Sequence, residues 1–329
     1  MGKRQLKNEK IIMKILANDG VSQSGIDKLT AAGHEVLTTN VAQEQLQDYI
    51  NKNDIAVLLV RPATTARKEL IDNCPSLKII GRGGVGMDNI DVTYAREKGL
   101  KVINTPAASS ASVSELVFAH LYGGVRFLYD ANRNMPLEGE SNFKGLKKTY
   151  AKGSELRGKT IGIIGIGRIG QEVAKIAAGV GMNVIAHDSF ADKAPTVSWD
   201  LFDGQTISVE IPLVSKEELL KTADFVTIHV PAQTDYVIGT DELGMMKKGA
   251  AIVNAARGGV LDEVALVAAL ESEHISFAAL DVFEKEPQPE VVLLMNSKLS
   301  LSPHIGAATN EAQDRIGTEL ADQIISILG

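Results

Sequence analysis

Cysteine is nearly missing from this chain. The single thiol, Cys74, excludes an intrachain disulfide and a cysteine-rich metal site, no metal is assigned, and a reducing, cytoplasmic setting fits. Excess positive charge is missing too. The formal net charge of −7 argues against nucleic acid or a membrane surface as the main partner, which leaves a small molecule. The start, MGKRQLKNEKIIMKILAND, is basic, but Lys14 breaks its short apolar stretch and no small-residue cleavage site follows, so it does not read as a secretory signal. Residues 1–12 read as a loose extension and Met13 as a natural start. Low-complexity tracts and solenoid repeats are also lacking. What remains is an ordinary globular composition, 44% hydrophobic and 23% charged over 329 residues, long enough for two domains with separate cores.

Apolar, β-branched runs alternate with helix-like segments. KILAND, EVLTT, IAVLLVR, LKIIG and KVIN form one series; TIGIIGIG, NVIAHD, FVTIHV, AAIVNAAR, FAALDVF and LSLSPH form a second. Such alternation predicts βαβ units, hence mostly parallel sheets covered on both faces by helices. Between the series lie a long periodic segment, SASVSELVFAHLYGGVRFLYDANRNM, expected as one connecting helix, and a polar stretch, LEGESNFKGLKKTYAKGSELRGK. Residues 191–214 interrupt the second series and read as an insertion or extended loop. The fold class is therefore α/β with two doubly wound domains.

The spacing G-x-G-x-x-G occurs twice, at Gly81, Gly83 and Gly86 and again at Gly165, Gly167 and Gly170. With glycine at this frequency, about one chain in four of this size carries a match by chance, so context must decide. Both follow an apolar strand. Eighteen residues past the last glycine stands Asn104 in the first case and Asp188 in the second. A carboxylate at that strand end accepts from the adenine-ribose hydroxyls of NAD and repels the 2′-phosphate of NADP. The second run also leads straight into a helix-like segment, whose N-terminal amides receive a pyrophosphate. Gly165–Gly170 is thus read as the NAD site. The loop of the first match, Arg82 with Gly84, Val85 and Gly86, is assigned to substrate, because exposed backbone amides bind carboxylate or phosphate oxygens. A plain tight turn is the competing reading.

Three later strand ends carry chemistry. Arg257 follows AIVNAA, with two glycines behind it; Asp281, Glu284 and Glu286 follow FAAL; and His304 sits between Pro303 and Ile305-Gly306 after LSLS. In open α/β sheets these loops face one crevice. A guanidinium holds a carboxylate by two parallel hydrogen bonds. An imidazole moves protons near neutral pH, and a carboxylate beside it fixes its tautomer and favours its charged form. Singly, Arg257 and Glu286 are more often solvated surface residues; together beyond a dinucleotide fingerprint they suggest oxidation of a 2-hydroxy acid.

The stretches GRGGVGMDNID, NTPAASSASVSEL, GKTIGIIGIGRIGQEVA, TIHVP, NAARGGVLDE, ALDVFEKEP and SPHIGAAT resemble, in this order, the D-2-hydroxyacid dehydrogenase family, from about residue 55 to 315. The resemblance is strongest to its phosphoglycerate branch. It implies a Rossmann NAD-binding domain over 109–304, a flavodoxin-like substrate domain over 1–108 plus 305–329, and a homodimer built on the cofactor domains. It implies a catalytic Arg257, Glu286 and His304, with Glu286 chosen over Glu284 because it directly precedes Pro287. Implied cofactor contacts are Arg168, Ile169, Asp188, Val230, Pro231, Ala255, Ala256, Arg257, Asp281, His304, Gly306 and Ala307. Arg61 and Arg82, with Arg133 a weaker match, fall where relatives acting on phosphoglycerate carry basic residues, so 3-phospho-D-glycerate and 3-phosphohydroxypyruvate, the first step of serine synthesis, are the expected pair. Ser109 stands where the family often has asparagine, and the chain stops at Gly329, which leaves no room for a C-terminal serine-sensing domain. The alternatives are a glyoxylate or hydroxypyruvate reductase and, more distantly, a dinucleotide-sensing corepressor; a formate dehydrogenase is disfavoured because that branch pairs its histidine with glutamine.

Overall fold

The computed structural model describes residues 12–328; apart from Ile12, the extension expected over residues 1–12 lies outside them. The described residues divide into two compact units, one of residues 12–109 with 307–328 and one of residues 110–306.

In the first unit, β1 (Lys14–Ala17), β2 (Glu35–Leu37), β3 (Ile55–Val60), β4 (Ile79–Arg82) and β5 (Lys101–Asn104) form a parallel sheet in the order β2-β1-β3-β4-β5. The central β3, IAVLLV, is buried at every position, as expected for a strand covered on both faces. The strand order reverses between β1 and β3, so the crevice at their carboxyl ends is the place for a ligand. The C-terminal helix, Asn310–Leu328, closes one face by packing on the helix Gln23–Ala31. Gly25 lets them touch: a Cβ there would stand 2.7 Å from the Gly317 carbonyl oxygen. Cys74 is buried and free, and burial pushes its thiol up to about 11, so it is unreactive at neutral pH.

The second unit is built on β6 (Thr160–Ile164), β7 (Asn183–His187), β8 (Thr196–Asp200), β9 (Thr206–Glu210), β10 (Phe225–Ile228), β11 (Ala250–Asn254), β12 (Ile275–Leu280) and β13 (Leu299–Leu301). Its main sheet is parallel in the order β13-β12-β11-β10-β6-β7, and the order reverses between β6 and β10. The register aligns His187, Ile164, Ile228, Asn254, Leu280 and Leu301 in one row across the sheet. Asp188, Gly165, His229, Arg257, Asp281 and His304 therefore all leave the sheet at one edge.

One expectation needs correction, and another is sharpened. The segment read as one helix is two, Ser110–Val125 and Leu128–Glu138, parted at Phe127, which takes a left-handed φ of 55°. The break has a cause: Ser154 donates its amide to the Val125 carbonyl, and the Phe127 ring packs on Tyr150. The polar stretch that follows is partly helical, over Phe143–Thr149. Residues 191–214, read as an insertion or extended loop, form an insertion with strands of its own. β8 and β9 pair as an antiparallel hairpin, Val197 is buried in the core, and Leu213 then bridges Ala186 beside β7 as a vestigial third edge strand. Among the described residues, no helix is long and apolar enough to cross a membrane.

Candidate active site

The glycine run after β6 is shaped by two close approaches. Gly165 has φ of +93°, and a Cβ on it would lie 2.5 Å from the His229 carbonyl oxygen at the end of β10. A Cβ on Gly170 would lie 2.2 Å from the Gly165 carbonyl oxygen, so only glycine lets the helix Arg168–Val180 start this near the strand. Gly167 faces open space at the helix N-cap, and no side chain caps it. The first-turn amides, those of Arg168, Ile169 and Gly170, are thus available to an anion. Asp188 closes the other end: its carboxylate accepts from the Ile166 amide and the Phe190 amide, each at 2.9 Å. Two bonds of that kind fix its direction and leave lone pairs for hydroxyl donors. A cavity of about 520 Å³ runs from Gly165 and Gly167 past Asp188 to His229, Val230 and Pro231. A glycine-lined anion cradle, a carboxylate and an elongated cavity fit a dinucleotide. His229 was not anticipated. Its Nε2 pairs with Thr227 Oγ1 at 2.9 Å, its Nδ1 has no hydrogen-bond partner among the described residues, and burial pulls its pKa down to about 3.

Beyond the cavity, the ends of β11, β12 and β13 present Arg257, Glu286 and His304. Gly258 joins the first two loops, because a Cβ there would stand 1.9 Å from the Phe283 carbonyl oxygen. Arg257 is half-buried, with Nη1 donating to the Ala256 carbonyl at 2.6 Å. Glu286 accepts the Phe283 amide on one oxygen at 3.0 Å and faces His304 Nδ1 with the other at 2.7 Å. Glu284 turns away, exchanging backbone-to-carboxylate hydrogen bonds with Glu263. Burial raises the Glu263 carboxyl, against the hydrogen bond it accepts from the Glu284 amide. Since a carboxylate only accepts, Nδ1 of His304 carries the hydrogen and Nε2 is left for another partner. His304 itself has φ of 55°, held by its amide on the Asp281 carbonyl at 2.7 Å. An apolar cavity of about 410 Å³, walled by Phe283, Pro287, Leu294 and Leu301, flanks the pair.

The other expected cofactor contacts are placed as follows. Ala255 and Ala256 are buried at the end of β11. Asp281 is 1% exposed, and its oxygens accept from Ser302 and from the amides of Ile305 and Gly306, so it braces the His304 turn. Ala307 falls in the first unit, where its carbonyl accepts from Gln313.

In the first unit, Arg61 follows β3 at the point where the strand order reverses. Its amide and those of its loop are gathered by Asp19, at the end of β1: Arg61 N–H donates at 2.6 Å and Thr64 N–H at 3.2 Å. Sequence reading missed Asp19, although an acid just past a β-run, in KILAND, was the available signal. The Arg61 guanidinium donates to Gln313 Oε1, and burial holds it below its ordinary value while Asp19 opposes that shift. Arg82 curls over the glycine turn, with Nη1 2.9 Å from the Gly83 carbonyl. The turn is less open than expected, because the Gly83 amide donates to Val60, the Gly84 amide to Arg82, and the Gly84 and Val85 carbonyls accept from Thr105 and Asn104.

Residues 118–306 match the family model described as D-isomer specific 2-hydroxyacid dehydrogenase, NAD binding domain. A D-3-phosphoglycerate dehydrogenase of Methanocaldococcus jannaschii is 41% identical over 319 residues, 96% of this chain and 58% of the relative. The chain thus spans little more than half the length of that relative. A hydroxypyruvate reductase of Thermotoga maritima is 40% identical over 300 residues, covering 90% of this chain and 91% of the relative. Among solved structures, a glyoxylate reductase from Paecilomyes thermophila superposes with a TM-score of 0.81 at 31% identity, covering 96% of this chain and 95% of that one.

Proposed function

Because the chain belongs to the D-isomer specific 2-hydroxyacid dehydrogenase family, with NAD as its cofactor, we propose that it interconverts a D-2-hydroxy acid and its 2-keto acid, and that the acid is 3-phospho-D-glycerate. The observation that carries the reaction type is the Glu286–His304 pair at 2.7 Å, one strand from Arg257 and on the same sheet edge as the nucleotide cavity. NAD, when bound, supplies the hydride acceptor in oxidation and, as NADH, the donor in reduction. His304 Nε2 takes the proton from the C2 hydroxyl in oxidation and returns it to the C2 oxygen in reduction, while Glu286 keeps the ring in one tautomer and stabilises the imidazolium. Arg257 holds the carboxylate beside C2. Asp188, anchored by two amides, accepts from the adenosine ribose and discriminates against a 2′-phosphate.

The phosphate reading rests on Arg61 and Arg82, which flank the Gly83–Gly84 turn. A Cβ on Gly83 would lie 3.9 Å from Arg61 Cγ, and one on Gly84 would clash with Arg82 Nη1. The test compares 3-phosphohydroxypyruvate with hydroxypyruvate in the reductive direction. Preference for the phosphorylated acid supports the proposal; preference for the other favours a second reading, hydroxypyruvate reduction, to which the near full-length similarity to the Thermotoga maritima protein points. A homodimer fits the apolar surface of the segment after the helix break, where Leu128, Leu137 and Phe143 are 64%, 79% and 57% exposed. Light scattering at assay concentration tests it.

A further inference from the structure

The helix Ser110–Val125 carries a buried histidine for which the proposed chemistry has no use. His120 is 6% exposed, and each ring nitrogen meets a serine of the segment leading to His304: Nδ1 lies 2.8 Å from Ser300 Oγ and Nε2 2.9 Å from Ser302 Oγ. The direction of these bonds is determined from the far end. Ser302 Oγ lies 2.6 Å from Asp281 Oδ1, and because a carboxylate only accepts, the single hydroxyl hydrogen of Ser302 points there. Ser302 can then only accept from His120, so Nε2 carries the hydrogen. Burial lowers the pKa of His120, against the pull of Asp281, so the ring is neutral and Nδ1 must accept from Ser300. One oriented chain results: Ser300 to His120, His120 to Ser302, Ser302 to Asp281.

Asp281 is where this chain meets the turn. Its Oδ1 also accepts the Ile305 amide and its Oδ2 the Gly306 amide, each at 2.8 Å, while its own carbonyl takes the His304 amide. Three consecutive amides around a residue held at φ of 55° thus bond to one aspartate. A carboxylate with a fixed third donor keeps a single orientation, whereas without Ser302 it can rotate away from the turn. From this geometry we infer that His120 is a positioning residue for His304, acting through Ser302 and Asp281 to hold the turn that aims the imidazole at the C2 oxygen. The inference rests on the reading of His304 as the proton-transfer group.

The test uses the full chain with histidine-selective nitrogen labelling and three variants: His120→Leu, Ser302→Ala and Ser302→Thr. Long-range proton–nitrogen spectra should show His120 as the Nε2–H tautomer. Amide exchange at Ile305 and Gly306 should quicken about tenfold in His120→Leu and Ser302→Ala. In the same two variants kcat should fall about 10- to 100-fold while the NADH Kd changes far less, since small misplacements of a catalytic group cost that much. Ser302→Thr, which keeps the hydroxyl, should restore both. If His120→Leu does not fold, Ser302→Ala carries the exchange and kcat measurements alone. An Nδ1–H tautomer, or a His120 variant whose turn amides and kcat match the wild type, overturns the inference. Full activity in His304→Ala would instead overturn the assignment of the base, and would leave the tautomer and exchange results standing as properties of the turn.

Discussion

The carboxyl edges of the two sheets hold their functional side chains in different ways. At the second sheet, with Arg257 on the Ala256 carbonyl as the exception, the groups lean on carboxylates or amides: His304 on Glu286, Glu286 on the Phe283 amide, Asp188 on the Ile166 and Phe190 amides. At the first sheet the cations lean on neutral oxygens, Arg61 on the Gln313 amide and Arg82 on the Gly83 carbonyl. Hydrogen bonds to a charged partner are roughly twice as strong as neutral ones, so an incoming phosphate or carboxylate displaces such acceptors with a net gain. The arrangement at the second sheet suits the proposed proton transfer, and that at the first suits the proposed binding of an anionic substrate.

The most damaging way to break this contrast is His304→Ala. Removal of a general acid–base group costs roughly 10²–10⁴-fold in kcat/KM. NADH binding should stay nearly intact, because the glycine run and Asp188 lie on other strand ends. Stopped-flow reduction alongside calorimetric NADH titration checks both, and a variant within a few-fold of wild type would return His304 to a structural role. Next in size are Arg61→Ala and Arg82→Ala. Each should remove about 1.5–3 kcal/mol of transition-state binding from a phosphorylated substrate and little from hydroxypyruvate. Equal losses on both substrates would mean that the arginines serve the loop and not a phosphate.

Acid should weaken the second unit through His229. Its folded pKa of about 3 lies below the ordinary histidine value, so the unfolded state binds more protons and stability falls as pH drops from about 6.5 toward 3. Between pH 6.5 and 5 this amounts to about 2 kcal/mol, absent in His229→Gln. Urea titrations of both proteins at pH 7 and 5 measure it; parallel losses would exclude His229 as the cause. The smallest expected effect is cofactor choice. NAD should be preferred over NADP by at least about tenfold in kcat/KM, or about 1.4 kcal/mol, and Asp188→Ala should narrow the gap. A wild-type enzyme that uses both equally would remove Asp188 from the ribose site.

Much of this was legible in local pattern. Strand runs separated by helix-like segments specify parallel sheets, and the spacing from Gly170 to Asp188 distinguishes one glycine run from the other. What stayed hidden was whatever depends on a distant partner. The helix break at Phe127 needs Ser154 to return to the Val125 carbonyl. The pairing of β8 with β9 competes with nothing local, yet it is stabilised by burying Val197 in the core. The openness of the turn at Gly83 and Gly84 was overestimated because Val60, twenty-three residues earlier, takes one of its amides.

The amino-acid sequence by itself determined the alternation of elements, the dinucleotide loop and the row of strand ends, because hydrophobic period, glycine spacing and strand-end chemistry are all encoded within a few residues. The resemblance chose Glu286 by its place before Pro287, but only the tertiary structure supplied the physical reason that this carboxylate faces the histidine. Glu284 and Glu286 stand two residues apart after the same strand, and nothing in their own chemistry separates them. Gly258 brings the Arg257 loop against Phe283, Glu263 engages Glu284, and Glu286 is left facing His304. Packing among three strands separates two carboxylates whose side-chain chemistry is the same.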